Sequence, residues 1–156
     1  MEEKIPSLEK ILKKEDIKAY LFPGKKTNIK GLTLISSDKT TIYVRKRMTE
    51  NSRRFMVGYM YCYHKLYTTE ETTNHIFYDE SIYDKKAYNE TLKLLVPINM
   101  LKSDVKKGTS MEELSKKYQV SQNILLERIK LDNRQKAKSK LKLLKFNKIQ
   151  KIPWLL

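Results

Sequence analysis

Apolar positions near the start of the chain recur at helical spacing. Ser7 precedes Leu8, Ile11 and Leu12, and Pro6 stands just before it, which predicts a first helix to about Lys14. Ile17 to Phe22 then reads as extended, ahead of a turn at Pro23-Gly24. Two β-branched runs, Leu32 to Ile35 and Thr40 to Val44, flank Ser36-Ser37-Asp38-Lys39 and predict a hairpin, and with it a small antiparallel sheet. From Arg53 to about Tyr67 no proline interrupts a series of large apolar and aromatic residues, and Thr49 to Ser52 offers several N-caps. This predicts a central, largely buried helix. The polar stretch Thr68 to Asn74 ends it, His75 to Tyr78 reads as a short strand, and Asp84 to Val96 as a second helix stopped by Pro97.

Beyond the proline, Ile98 to Lys107 is expected to be helical, and Gly108 punctuates it. Thr109 with Glu112 forms a capping-box pattern ahead of Leu114 and Tyr118. Ser121 heads a run with Ile124, Leu125, Ile129 and Leu131, so residues 109 to 131 read as two short helices joined at Gln119-Val120. The fold class expected is α+β. Residues 1–107 form the main domain, 108–133 a short helical extension and 134–156 a basic tail.

Composition narrows the class. A chain of 156 residues with 40% hydrophobic and 33% charged residues and four each of Gly and Pro is globular, with one core. The single cysteine, Cys62, cannot form an internal disulfide, and no apolar run reaches the ~18 residues that span a bilayer. The start Met1-Glu2-Glu3-Lys4 lacks the pattern of a secretory signal, so a cytoplasmic protein is expected. The formal net charge is +15, and much of it is clustered. Arg134, Lys136, Lys138, Lys140, Lys142, Lys145, Lys148 and Lys151 follow one another with no acidic residue between them. Such a tail suits phosphates. The interleaved Leu141, Leu143, Leu144, Phe146, Ile149 and Trp154 equally suit an amphipathic helix packed on protein or lying on a membrane surface.

The stretch Arg53-Arg54-Phe55-Met56-Val57-Gly58-Tyr59-Met60-Tyr61-Cys62-Tyr63 resembles the ImmA/IrrE-type metallopeptidases, in which an Arg-Arg-Phe lead-in runs into an Ala-His-Glu-Leu-Gly-His helix. Here Tyr59 and Tyr63 stand where the two histidines would be, and Met60 where the glutamate would be. The segment Asp84-Lys85-Lys86-Ala87 through Leu94-Leu95-Val96-Pro97 is similar to the family's Glu-x-x-Ala-Asn-x-Phe-Ala-Ala-x-Leu-Leu-Met-Pro, with Asp84 on the position of the acidic third ligand. Leu114 to Ser121, followed by Arg128, resembles a later Leu-Ala-x-x-Phe-x-Val-Ser segment of the same family. The resemblance runs over about residues 17 to 131 and implies a zincin-like core: a small sheet, a central helix and a second helix beside it, then a helix-turn-helix-like extension.

The chemistry of that family requires residues this chain lacks. In an HExxH site two histidines four residues apart face one zinc ion, and the glutamate between them serves as general base. Neutral phenols are poor zinc ligands and a thioether accepts no proton from water. His64 lies about 100° around the helix from the Tyr63 face, away from that site. Cys62, His75 and Asp84 have ordinary readings as a buried thiol, a strand or loop histidine and a helix N-terminal acid. Tyr59, Tyr61, Tyr63 and Tyr67 read as core filling and pocket lining. No metal, cofactor or catalytic residue is therefore expected. The resemblance implies a pseudoenzyme of a bacterial mobile element or prophage that grips a repressor-type transcription factor. Nucleic-acid binding through the helical extension and the Lys-rich tail is the alternative.

Overall fold

The computed structural model describes residues 7–37, 39–68 and 74–150, with side chains as far as 142. Ser7 Oγ accepts the Lys10 amide and starts α1 (Leu8–Lys14), whose Leu8 and Leu12 turn into the core. Three strands follow, β1 (Lys18–Phe22), β2 (Ile29–Ser36) and β3 (Lys39–Arg45), then the long α2 (Glu50–Tyr67) and β4 (His75–Tyr78). The helices α3 (Lys85–Leu95), α4 (Ile98–Lys106), α5 (Met111–Tyr118) and α6 (Gln122–Gln150) complete the described chain.

The strand order is β1-β3-β2-β4. β2 and β3 form the expected antiparallel hairpin, with Ser36 opposite Lys39. β1, however, runs parallel to β3, from Lys18 beside Thr41 to Phe22 beside Arg45. The sheet is therefore mixed, where the sequence predicts an antiparallel one. Turn chemistry specifies only strands that are neighbours in sequence. The pairing of β1 with β3 skips a strand and leaves no local signal.

One face of this sheet carries α2. Phe55, Met56, Tyr59 and Met60 are buried there with Ile42 and Val44 of β3. The close approach depends on Gly31 of β2, where a Cβ would come within 2.5 Å of the Met60 sulfur. α3 packs against α2 through Ala87, Leu92 and Leu95, so the aromatic helix and the segment ending at Pro97 are neighbours. Thr91 Oγ1, buried between them, donates to the Ala87 carbonyl.

The C-terminal helices depart from the sequence reading in two places. The capping box uses Ser110 and Glu113, one residue later than Thr109 and Glu112. The reason lies in α4: Gly108 takes φ +80° and the Thr109 amide donates to the Asp104 carbonyl, so Thr109 closes the preceding helix. Secondly, the last helix is not short. α6 runs for 29 residues to Gln150, because Lys, Leu, Arg, Gln and Ala favour helix and neither Gly nor Pro interrupts them. The expected division at 107 falls at the end of α4, and the one at 133 falls inside α6.

These helices dock on the core. Arg128 Nε donates to the Val96 carbonyl at 3.0 Å, tying α6 to the end of α3. The Asp104 carboxylate accepts from Lys117 at 2.9 Å and from the Tyr118 hydroxyl at 2.7 Å. Leu101, Leu114, Val120, Leu125 and Leu131 close the cluster around them.

Candidate functional site

Helical spacing brings Tyr59, Tyr63 and Tyr67 onto one face of α2, four residues apart each time. Ring centroids are 6.1 Å apart for Tyr59 and Tyr63, and 4.7 Å for Tyr63 and Tyr67. Phe77 of β4 stands edge-on to both Tyr59 (5.3 Å) and Tyr63 (5.1 Å), and Tyr83 covers Tyr59 at 4.7 Å. Edge-to-face contacts at these separations are attractive as well as space-filling.

Asp84 meets this row at the start of α3. Its backbone amide donates to the Tyr59 hydroxyl at 2.9 Å. One carboxylate oxygen caps α3 by accepting the Ala87 amide at 2.8 Å, and also accepts from the Tyr67 hydroxyl at 2.9 Å. The Ala87 amide, assisted by the Tyr67 hydroxyl, holds the Asp84 carboxyl below the usual carboxylate range. Burial pushes the Tyr59 phenol up to about 12. Tyr59 thus meets Asp84 directly and Tyr63 lies between Tyr59 and Tyr67, the two phenols that bond Asp84, whereas Met60 is turned away, wholly buried under Gly31 of β2.

These residues do not fit zinc. A metal at this position would face two phenols, one of them harder to ionise than usual, and a carboxylate already engaged by an amide and a hydroxyl. Met60 offers no base. Among the described residues no group of three His, Cys, Asp or Glu side chains is placed to hold a metal ion.

The two histidines, His64 of α2 and His75 of β4, adjoin the row at its Tyr63 end. His64 Nδ1 lies 2.6 Å from Thr68 Oγ1 and its Nε2 3.4 Å from Thr40 Oγ1. His75 Nε2 lies 3.5 Å from the same Thr68 oxygen, and the His75 ring packs edge-on against Tyr63. Burial lowers both imidazole pKa values, and for His64 the neighbouring His75 and Lys65 add to the effect. Cys62 is buried on the α3 side of α2, and burial pushes its thiol up to about 11, so it is a poor nucleophile. Tyr61 donates to Glu15 at 2.7 Å and clamps the turn after α1.

Beside the aromatic row a cleft of about 270 Å³ remains, lined by Phe55, Tyr83, Tyr88, Lys30, Ser121 and Ile124. Lys30 Nζ stands 5.6 Å from the Tyr83 ring centre, a cation–π contact at the edge of the cleft. Sequence reasoning misses Phe77 and Tyr83, although Tyr83 directly precedes Asp84.

Of the predicted polyanion-binding residues, Arg134, Lys136, Lys138, Lys140 and Lys142 are all exposed on α6. Lys145 and Lys148 lie on the helical backbone beyond the described side chains, and Lys151 lies outside the described residues. Among the described residues no helix is long and apolar enough to cross a membrane. No protein-family model matches the chain, and no curated protein matches it.

Proposed function

We propose that this chain is a non-catalytic, metallopeptidase-like regulatory protein of a bacterial mobile element or prophage that acts in the cytoplasm by binding a repressor-type protein. In this reading the sheet, α2 and α3 are a zincin-like core of the ImmA/IrrE type, and the α5–α6 pair is its helix-turn-helix-like appendage. The observation that carries it is that the Tyr59 hydroxyl accepts the Asp84 amide while the Tyr63 ring packs against Tyr59, so the segments that hold these three residues adjoin. Those are the three positions at which the resemblance puts metal ligands, and they come from two segments 21 residues or more apart in sequence. At these positions Tyr59 ties α2 to the start of α3 by its hydroxyl, Tyr63 packs its ring against Phe77 and His75 of β4, and Asp84 caps α3.

The test has two parts. Purified chain incubated with zinc and dialysed is expected to retain much less than one equivalent, and to leave casein and candidate repressors uncut. Retention of one zinc with cleavage would show a working enzyme. The double substitution Tyr59→His with Tyr63→His is then expected to confer zinc binding, since it restores two imidazoles four residues apart beside Asp84. A folded double variant that takes up no zinc would remove the support for a zincin-like core.

A further inference from the structure

Past Asp132, α6 leaves the body. Every residue from Asn133 to Lys142 is exposed, so this stretch stands in solvent as a bare helix. It carries Arg134, Lys136, Lys138, Lys140 and Lys142 and no acidic residue, and the sequence continues basic through Lys145 and Lys148. Lys136 Nζ lies 3.1 Å from Asp132, which also binds Lys102 at 3.1 Å. Arg134, Lys138, Lys140 and Lys142 make no ion pair among the described residues, which leaves four uncompensated cations on about 12 Å of helix.

Their arrangement around the axis decides what they fit. Arg134, Lys138 and Lys142 follow one another at i, i+4 spacing along one side. Lys136 lies about 200° from Arg134, and Lys140 about 160° from Lys142, on the opposite side. A flat anionic membrane engages one side of a helix and needs an apolar face to bury, whereas the apolar positions 141, 143, 144, 146 and 149 of α6 are spread around the whole axis at about 100° per residue. A partner helix needs an apolar seam sustained at heptad spacing, and Ala137, Leu141 and Leu144 keep it for a single heptad, with Arg134 before them and Lys148 after. The major groove of B-form DNA, about 12 Å wide, takes a helix about 10–12 Å across and has phosphates along both walls. The A-form major groove is too narrow for a helix, and single strands are gripped by stacked aromatics, of which residues 133–142 contain none.

We infer that the projecting part of α6 docks lengthwise in the major groove of duplex DNA, its two basic sides facing the two phosphate walls. The contact is to the backbone and carries no sequence preference of its own. It is independent of the pseudo-peptidase reading and stands or falls without it.

Fluorescence anisotropy of the full chain with a labelled duplex of about 20 base pairs, titrated between ~50 and ~200 mM salt, reads the interaction directly. Four neutralised phosphates give a slope of log K against log salt of about −3.6 or steeper. The substitutions Arg134→Gln, Lys138→Gln and Lys142→Gln together, and Lys136→Gln with Lys140→Gln separately, are each expected to weaken binding. They also make the slope shallower, by about 0.9 for each phosphate left without its cation, the smaller effect being at Lys136, which Asp132 already pairs. Gln keeps helix propensity, so circular dichroism is expected to stay unchanged. Absence of binding at ~50 mM salt would overturn the inference. So would a silent variant on either side, since a groove engages both. Equal or tighter binding to single-stranded DNA, to duplex RNA or to phosphatidylserine vesicles would overturn it in favour of that ligand.

Discussion

Tyr59 is held at both ends: its ring lies in the aromatic row with Tyr63, Phe77 and Tyr83, and its hydroxyl accepts the amide of Asp84. Ring and hydroxyl therefore contribute separately. Tyr59→Phe keeps the packing and leaves the Asp84 amide unpaired, an expected loss of about 1 kcal/mol. Tyr59→Ala also opens a cavity in the core, with an expected loss of about 3–5 kcal/mol. Urea denaturation of the three proteins measures both. Equal losses for the two variants would mean that the hydroxyl, and not the ring, dominates at this position.

Among the elements, α5 gives the sharpest test, because two capping boxes one residue apart compete for its start. Ser110 Oγ accepts the Glu113 amide and the Glu113 carboxylate accepts the Ser110 amide. Ser110→Ala is therefore expected to cost about 1 kcal/mol, and Thr109→Ala only a fraction of that. Thermal denaturation of the two variants distinguishes them, and the opposite ranking would place the helix start at Thr109. The same contest shows how far a motif can be trusted from sequence. Both Thr109-x-x-Glu112 and Ser110-x-x-Glu113 satisfy the pattern, and the choice is made by α4, whose last turn takes the Thr109 amide. α6 is the converse case. Its propensity is legible throughout, but a boundary at 133 follows charge, and charge does not break a helix.

For the whole molecule, pH dependence is set first by His64 and His75. Burial holds both imidazoles below their ordinary value near 6.5, because it disfavours the charged form. As pH falls through about 6.5 the unfolded chain takes up these protons before the folded one does. Their contribution to stability is thus full above that pH and declines below it, until the folded imidazoles are protonated too. The carboxylates with lowered pKa, Glu15, Asp79, Asp84, Asp104, Glu113 and Asp132, act in the same direction, but only as pH approaches their ordinary values of 4.5 and 3.8 and goes below. The urea midpoint is expected to fall between about pH 7 and pH 5.5, and to fall less in the double variant His64→Gln with His75→Gln. Parallel curves for the two proteins would place the pH dependence elsewhere.

The one-dimensional pattern alone determined the α+β class, the order and type of the helices and strands of the described chain, and the identity of the phenols and thioether in the central helix. Those features depend on periodicity, propensity and caps, which act over a few residues and can be read locally. Tertiary structure decided the rest: the parallel pairing of β1 with β3, the turning of Met60 under Gly31, the recruitment of Phe77 and Tyr83 to the aromatic row, and the exposure of α6 from Asn133 to Lys142. Each of these joins residues far apart in the chain, or depends on where the body ends. Neither leaves a mark on the order of neighbouring residues, because packing selects partners by shape and burial across space.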